Sequence, residues 1–316
     1  MSGEVGEAGS GWRGRMAMRP VPFRTVARPA RFAGVGLFSG QQGVVTVEPA
    51  GAGQGLSLRR EDGSGGGGGL GGAVIAVCAK RVIARPRQTV LAASGPGPAV
   101  TVQTVEHLLS ALAACGVNTA VLRVSGPEIP ILDGSARVFV EGLLEAGVVA
   151  LDGAGVEVVL EPASVMEFIE GSMQIEARPW PEGTPGPRLG LEYVLDYGGP
   201  IAAQSARFVL DYVEPDVAGY GREIGPARTF CTEVEATQWR AAGLFGHMTA
   251  AQVLVMGEDG PVGSALRFAE EPARHKVLDM LGDLSLAGRP IHAQVRAVRS
   301  GHALNQRMAL ALQGLG

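Results

Sequence analysis

The chain has 316 residues, enough for two modest domains that each bury a core. Hydrophobic residues make up 46% and charged residues 18%, which excludes a disordered chain. A net charge of −4 with no run of Lys or Arg excludes a basic nucleic-acid-binding face, and three scattered cysteines exclude a disulfide scaffold.

Residues 1–22 read as a polar, glycine-rich and disordered lead-in. They hold no apolar core of a secretory signal, and no stretch reaches the roughly 18 apolar residues of a membrane span, so the expected location is the cytoplasm. RTVARPARFAGVGLFSGQQGVVTVEPA, from Arg24, predicts two or more strands separated by glycine turns. The tract from Ser64 to Gly72 reads as a flexible surface loop, and AVIAVCAKRVIA as a strand after it. TVEHLLSALAACG predicts a helix, with Val105, Leu108, Leu109 and Leu112 on one face and Gly116 as its stop. The strand TAVLRVSG, the loop PEIPILDGSA and a short helix around ARVFVEGLLEAG follow.

Beyond Asp152 and Gly153 strands resume at VEVVLE, SMQIEAR and LGLEYVLDY. EEPARHKVLDMLGDLSLAG predicts a second strong helix, and IHAQVRAVRS a strand that leads through a Gly-His loop into a last helix, ALNQRMALAL. The order of elements repeats: a strand block, a helix opening near His107 or His275, a strand, a glycine loop and a closing helix. The expectation is an α+β fold of two similar β-α-α-β sandwich domains, residues 23–152 and 153–316, with the active site at their interface.

His275, Asp279 and Asp283 lie at i, i+4 and i+8, one stripe of a helix away from its apolar face, with Lys276 at the edge. An H-x-x-x-D pair at this spacing can give a metal two ligands. It is equally the pattern of a solvated helix face, which on spacing alone is the commoner arrangement. Glu106-His107 at a helix start offers a further ligand beside a base for a metal-activated water, although a helix-start glutamate is also favoured by the helix dipole. His302, in a tight glycine loop, could protonate a leaving amine or simply face solvent. His247 and His292 have no such context and read as structural or surface residues.

Six segments in order, GVGLFSG, TVEHLLSAL, PEIPILDGSA, ARTF, HKVLDMLGDL and SGHALN, resemble the UDP-3-O-acyl-N-acetylglucosamine deacetylases, zinc enzymes of lipid A synthesis. The resemblance runs from Arg24 to Leu312. It implies that His107, His275 and Asp279 hold one Zn²⁺, with Fe²⁺ also compatible with such donors. It implies Glu106 as general base, Thr229 as oxyanion donor, His302 as general acid, Asp283 as the group orienting His302, and Lys276 as added positive charge. Among substrate contacts it implies Tyr197 stacking on uracil, Phe230 beside Thr229 in ARTF, and Arg299 at a phosphate. Trp239, Leu244 and Phe245 lie where relatives form an apolar passage for the acyl chain, or else pack a core. The implied partner is a small UDP-sugar lipid precursor, with no nucleic acid and no integral membrane segment, and the protein is expected to be a monomer.

The chain departs from the family pattern at Phe38, usually histidine, at Gly198-Gly199 before Pro200, and at Ala92, often cysteine. None of these removes a catalytic group. They leave open a paralogue acting on another N-acetylated sugar nucleotide. A sensor that only binds such a nucleotide would have no need of the base and acid at Glu106 and His302.

Overall fold

The structure, a computed structural model, describes residues 14–61, 73–94, 100–151 and 156–314. Its helices are α1 (Glu106–Ala114), α2 (Arg137–Ala146), α3 (Val217–Glu223), α4 (Glu233–Ala241), α5 (Glu271–Leu284) and α6 (His302–Gln313). Four of them fall where apolar periodicity predicts them. α3 and α4 are set by caps instead. Asp216 accepts from the Gly219 N–H, and Thr232 and Glu235 form a reciprocal capping box.

Two five-stranded sheets carry the core, and their strand order is the same. In the first, Ala30–Val35 and Gln42–Pro49 form a hairpin, Leu56–Glu61 and Ala73–Ala76 a second, and Ala120–Ser125 enters between them. The late strand runs antiparallel to Gln42–Pro49 and parallel to Leu56–Glu61. The second sheet repeats this with Met166–Glu170 and Met173–Arg178, then Arg188–Leu195 and Gln204–Asp211, and Ala293–Val298 at the centre. Each half also inserts a small three-stranded sheet before its first long helix. That before α1 is Val82–Ile83, Val90–Ala92 and Thr101–Gln103; that before α5 is Phe230–Thr232, Leu254–Gly257 and Gly260–Val262.

The fold corrects two expectations and decides between two alternatives for a third. Gly14–Pro20 is a strand paired antiparallel with Val156–Pro162, so the lead-in expected over residues 1–22 does not extend to residue 22 as disorder. The pairing is reinforced by Glu161, which bridges Arg15 and Arg19. Residues 1–13 and the glycine tract lie outside the described residues. AVIAVCAKRVIA is not one strand: a single turn at Ala79–Arg81, closed by the Arg81 N–H on the Cys78 carbonyl, breaks it in two. The polar stripe of α5 does not face water, since His275, Asp279 and Asp283 are all buried.

What buries it is α1, packed directly on α5. The two helices meet at backbone distance because residue 282 has no side chain. A Cβ there would sit 2.1 Å from the Glu106 carbonyl oxygen and 3.0 Å from its Cα. α1 is accordingly buried on its polar positions too, Glu106, His107 and Ser110, with the Ser110 and Tyr220 hydroxyls 2.7 Å apart. The N-terminal end of α5 is fixed separately. Glu271, fully buried, pairs with the equally enclosed Arg228 at 2.8 Å and accepts from the Arg228 and Arg267 N–H groups.

Two stability tests follow from these contacts. Gly282→Ala forces α1 and α5 apart and is expected to cost roughly 1–3 kcal/mol in urea unfolding, more than the same change at an exposed helical glycine. Arg228→Ala leaves Glu271 buried without its cation, and about 3–5 kcal/mol should be lost in the same assay.

Candidate active site

The α1–α5 crossing brings His107 from one helix onto His275 and Asp279 from the other. One donor atom from each lies within 4.8 Å of the others, all three side chains being buried. The His107 and His275 rings stand edge to face at 5.0 Å, and their Nε2 atoms lie 3.7 and 3.3 Å from Asp279 Oδ1. That oxygen is enclosed and has no hydrogen-bond partner, an arrangement that costs a folded protein free energy unless something else fills the gap. His275 Nδ1–H donates to the Ala227 carbonyl at 3.0 Å, which leaves the Nε2 lone pair toward the centre. Burial lowers the His275 pKa to about 4, so the ring is neutral, as a ligand must be. The three residues therefore fit a metal ion.

Burial would drive Asp279 toward its neutral form, yet the charged groups beside it, the Lys276 ammonium and the His302 imidazolium among them, reverse this and hold it ionised well below the usual carboxylate range. Lys276 donates to Asp279 Oδ2 at 2.7 Å and lies over the Tyr193 ring. For Lys276 too, burial opposes the charge, while Asp279 and Tyr193 raise its pKa above the ordinary lysine value.

Glu106 and His302 flank the centre. Burial pushes the Glu106 carboxyl up to about 7 against the pull of His302 and His107. His302 Nε2 is 3.8 Å from both Glu106 Oε1 and Asp279 Oδ2. Its Nδ1–H donates to Asp283 Oδ2 at 2.8 Å. Burial disfavours the imidazolium, but Asp283 and Asp279 outweigh it and raise His302 to about 9. Two neighbouring groups thus take opposite protonation states between these values, one able to accept a proton and the other to give one.

A cavity of about 810 Å³ opens onto this cluster. His275, Asp279, Lys276, Thr229, Phe230, His302, Tyr197 and Arg299 line it, and Glu106, His107 and Asp283 are buried directly beside them. Phe230 packs edge-on against both Tyr197 and His275. Arg299, at a positive φ of 53°, pairs with Asp196. Tyr197 donates to Glu235 at 2.8 Å and accepts from Arg87, which stacks on Trp239. Trp239 and Phe245 line the cavity with Phe38 in contact with Phe245, but Leu244 does not line it and is 47% exposed. His292 is buried, with Nδ1 accepting from the Arg188 N–H, and His247 contacts the Gly36 carbonyl; neither lines the cavity.

Several residues of the site carry no sequence signal. Thr89, Asn305 and Gln306 bind one another's partners around Asp283, and Arg87 and Glu235 fix Tyr197. The SGHALN run contains Asn305, but nothing in its spacing shows that its amide reaches a carboxylate on another helix.

The family model for LpxC, UDP-3-O-acyl N-acetylglycosamine deacetylase, matches residues 23–313. A UDP-3-O-acyl-N-acetylglucosamine deacetylase of Thermosynechococcus vestitus is 36% identical over 92% of this chain and 93% of its own length. Proteins of the same name from Myxococcus xanthus and Chlamydia pneumoniae are 34% and 32% identical, over 92% and 89% of this chain and 87% and 93% of their own lengths. The chain belongs to the UDP-3-O-acyl N-acetylglycosamine deacetylase family.

Proposed function

We propose that the protein hydrolyses the N-acetyl group of UDP-3-O-(3-hydroxyacyl)-N-acetylglucosamine, releasing acetate and the free amine, as a step of lipid A synthesis. The observation that carries this reading is the enclosed, unpartnered Asp279 Oδ1 facing two imidazoles, with Glu106 and His302 beside it. His107, His275 and Asp279 would hold one Zn²⁺, although such donors also accept Fe²⁺. When bound, the ion supplies Lewis-acid activation of water and polarisation of the amide carbonyl.

The chain's own groups divide the remaining work. Glu106 takes a proton from the attacking water as the new C–O bond forms. The Thr229 hydroxyl donates to the carbonyl oxygen as it gains charge, and Lys276 adds positive potential beside it. His302 gives its proton to the departing nitrogen as the C–N bond breaks, and Asp283 keeps the ring oriented and charged. Tyr197 would stack on uracil, with Phe230 packed behind it, and Arg299 would meet a phosphate, where its planar fork offers two donors. Trp239 and Phe245 would wall the acyl chain.

The same reading treats residues 23–152 and 153–316 as duplicated β-α-α-β sandwiches with the site at their seam, which the shared strand order supports. The candidate ligand set needs no residue from a second copy, and a monomer is the accompanying proposal. Among the described residues no helix is long and apolar enough to cross a membrane, and cytoplasmic action on a nucleotide-linked sugar is the accompanying proposal.

Metal content and deacetylase activity on the UDP-linked acylated substrate should fall together in His275→Ala, from about one zinc per chain to near none. Wild-type protein carrying no stoichiometric metal would overturn the reading. The pH profile of kcat/KM tests the base and acid. Glu106 must be ionised, so activity is lost as pH falls through its pKa, at or below about 7 because a bound cation lowers it further. His302 must be protonated, so activity is lost as pH rises through about 9. In His302→Ala the alkaline limb should vanish and the residual rate drop by roughly 10²–10⁴.

A further inference from the structure

We propose that Thr89 is a positioning residue that aligns the base and the acid of this site with each other. It is fully buried at the start of the strand Val90–Ala92, in the small sheet before α1, and does not line the cavity. Its two donors go to two different carboxylates. The backbone N–H donates to Glu106 Oε2 at 3.1 Å, and the hydroxyl donates to Asp283 Oδ1 at 2.5 Å.

The direction of that hydroxyl is fixed from a third element. Gln306 Nε2, on α6, donates to Thr89 Oγ1 at 2.8 Å. An amide N–H only donates and a carboxylate only accepts, so the single hydroxyl proton points at Asp283. The other oxygen, Asp283 Oδ2, receives His302 Nδ1–H at 2.8 Å and Asn305 Nδ2–H at 2.9 Å. Asn305 is oriented in turn by the Ser300 hydroxyl on its Oδ1 at 2.8 Å.

The Asp283 carboxylate is therefore gripped at both oxygens, and its plane sets the plane of the His302 ring. Remove the Thr89 hydroxyl and Oδ1 has no other hydrogen-bond donor among the described residues. It would then be a buried acceptor left unsatisfied, and the carboxylate would be free to turn, carrying the imidazole away from the leaving nitrogen. Thr89 thus acts through Asp283 and Glu106, its hydroxyl oxygen also lying 3.4 Å from His302 Nδ1, and it does not line the cavity.

This assignment rests on the reading of Glu106 as base and His302 as acid. Thr89→Val keeps the shape and the N–H to Glu106 while deleting the hydroxyl. In the metal-loaded enzyme kcat should fall roughly tenfold to a hundredfold, with KM and metal content within about twofold of wild type. Thr89→Ser should restore most of kcat, and Gln306→Leu should lower it less, in the same direction. The proposal is overturned if Thr89→Val keeps wild-type kcat, if KM and metal content change as much as kcat, or if serine does no better than valine. Should Thr89→Val fail to fold, an unchanged kcat in Gln306→Leu overturns it instead. Glu106→Gln and His302→Ala, assayed in parallel, separate the two claims. If both stay active, the base and acid reading falls; if both are inactive while Thr89→Val is active, only the role of Thr89 falls.

Discussion

Two helices from distant parts of the chain touch backbone to backbone at Gly282 and Glu106, and the chemistry of the protein is arranged around that contact. Such an approach excludes water and leaves no room for large side chains between the helices. It also buries whatever polar groups the helices carry there. Glu106, His107, His275, Asp279 and Asp283 are all inside. Isolated charges in such a place cost several kcal/mol each, so they persist only where paired or otherwise satisfied. Asp283 is held by three side chains, Thr89 before the strand Val90–Ala92 and His302 and Asn305 on α6, and Asp279 by Lys276 on one oxygen. The other Asp279 oxygen has no such partner, nor has His107 Nδ1, and the oxygen, facing two imidazoles, fits a cation.

The low local dielectric that makes these charges costly also makes them effective. Glu106 and His302, 3.8 Å apart at their nearest charged atoms, are pushed toward proton affinities suited to opposite tasks. The causes differ. For Glu106 desolvation dominates; for His302 two aspartates override it. A polar neighbourhood in contact with water would flatten both effects.

Much of this was legible in the residues. The spacing of His275, Asp279 and Asp283 places them on one face, and the paired order of elements anticipates the matching sheets. What spacing could not show is which way the face points. A polar stripe on a helix reads as solvated unless the partner helix is known, and α1 lies more than 150 residues earlier. Thr89 is a sharper case. Its bonds to Asp283 and Gln306 span 194 and 217 residues, and one threonine in a β-like run carries no periodicity that could reveal them. The strand Gly14–Pro20 was hidden for the same reason: its regularity comes from Val156–Pro162 and from Glu161, not from its own composition.

In each five-stranded sheet the strand that arrives last in sequence takes the central place, Ala120–Ser125 in one and Ala293–Val298 in the other. During synthesis the two hairpins of a half therefore emerge first, each with an inner edge of unpaired N–H and C=O groups, at Gln42–Pro49 and Leu56–Glu61 and again at Met173–Arg178 and Arg188–Leu195. Those edges stay open until the helix has been made and the closing strand leaves the ribosome. Exposed edges of this kind recruit other chains. The nascent protein is thus most prone to aggregate twice, once before residue 120 and once before residue 293, and each interval ends with the insertion of a single six-residue strand.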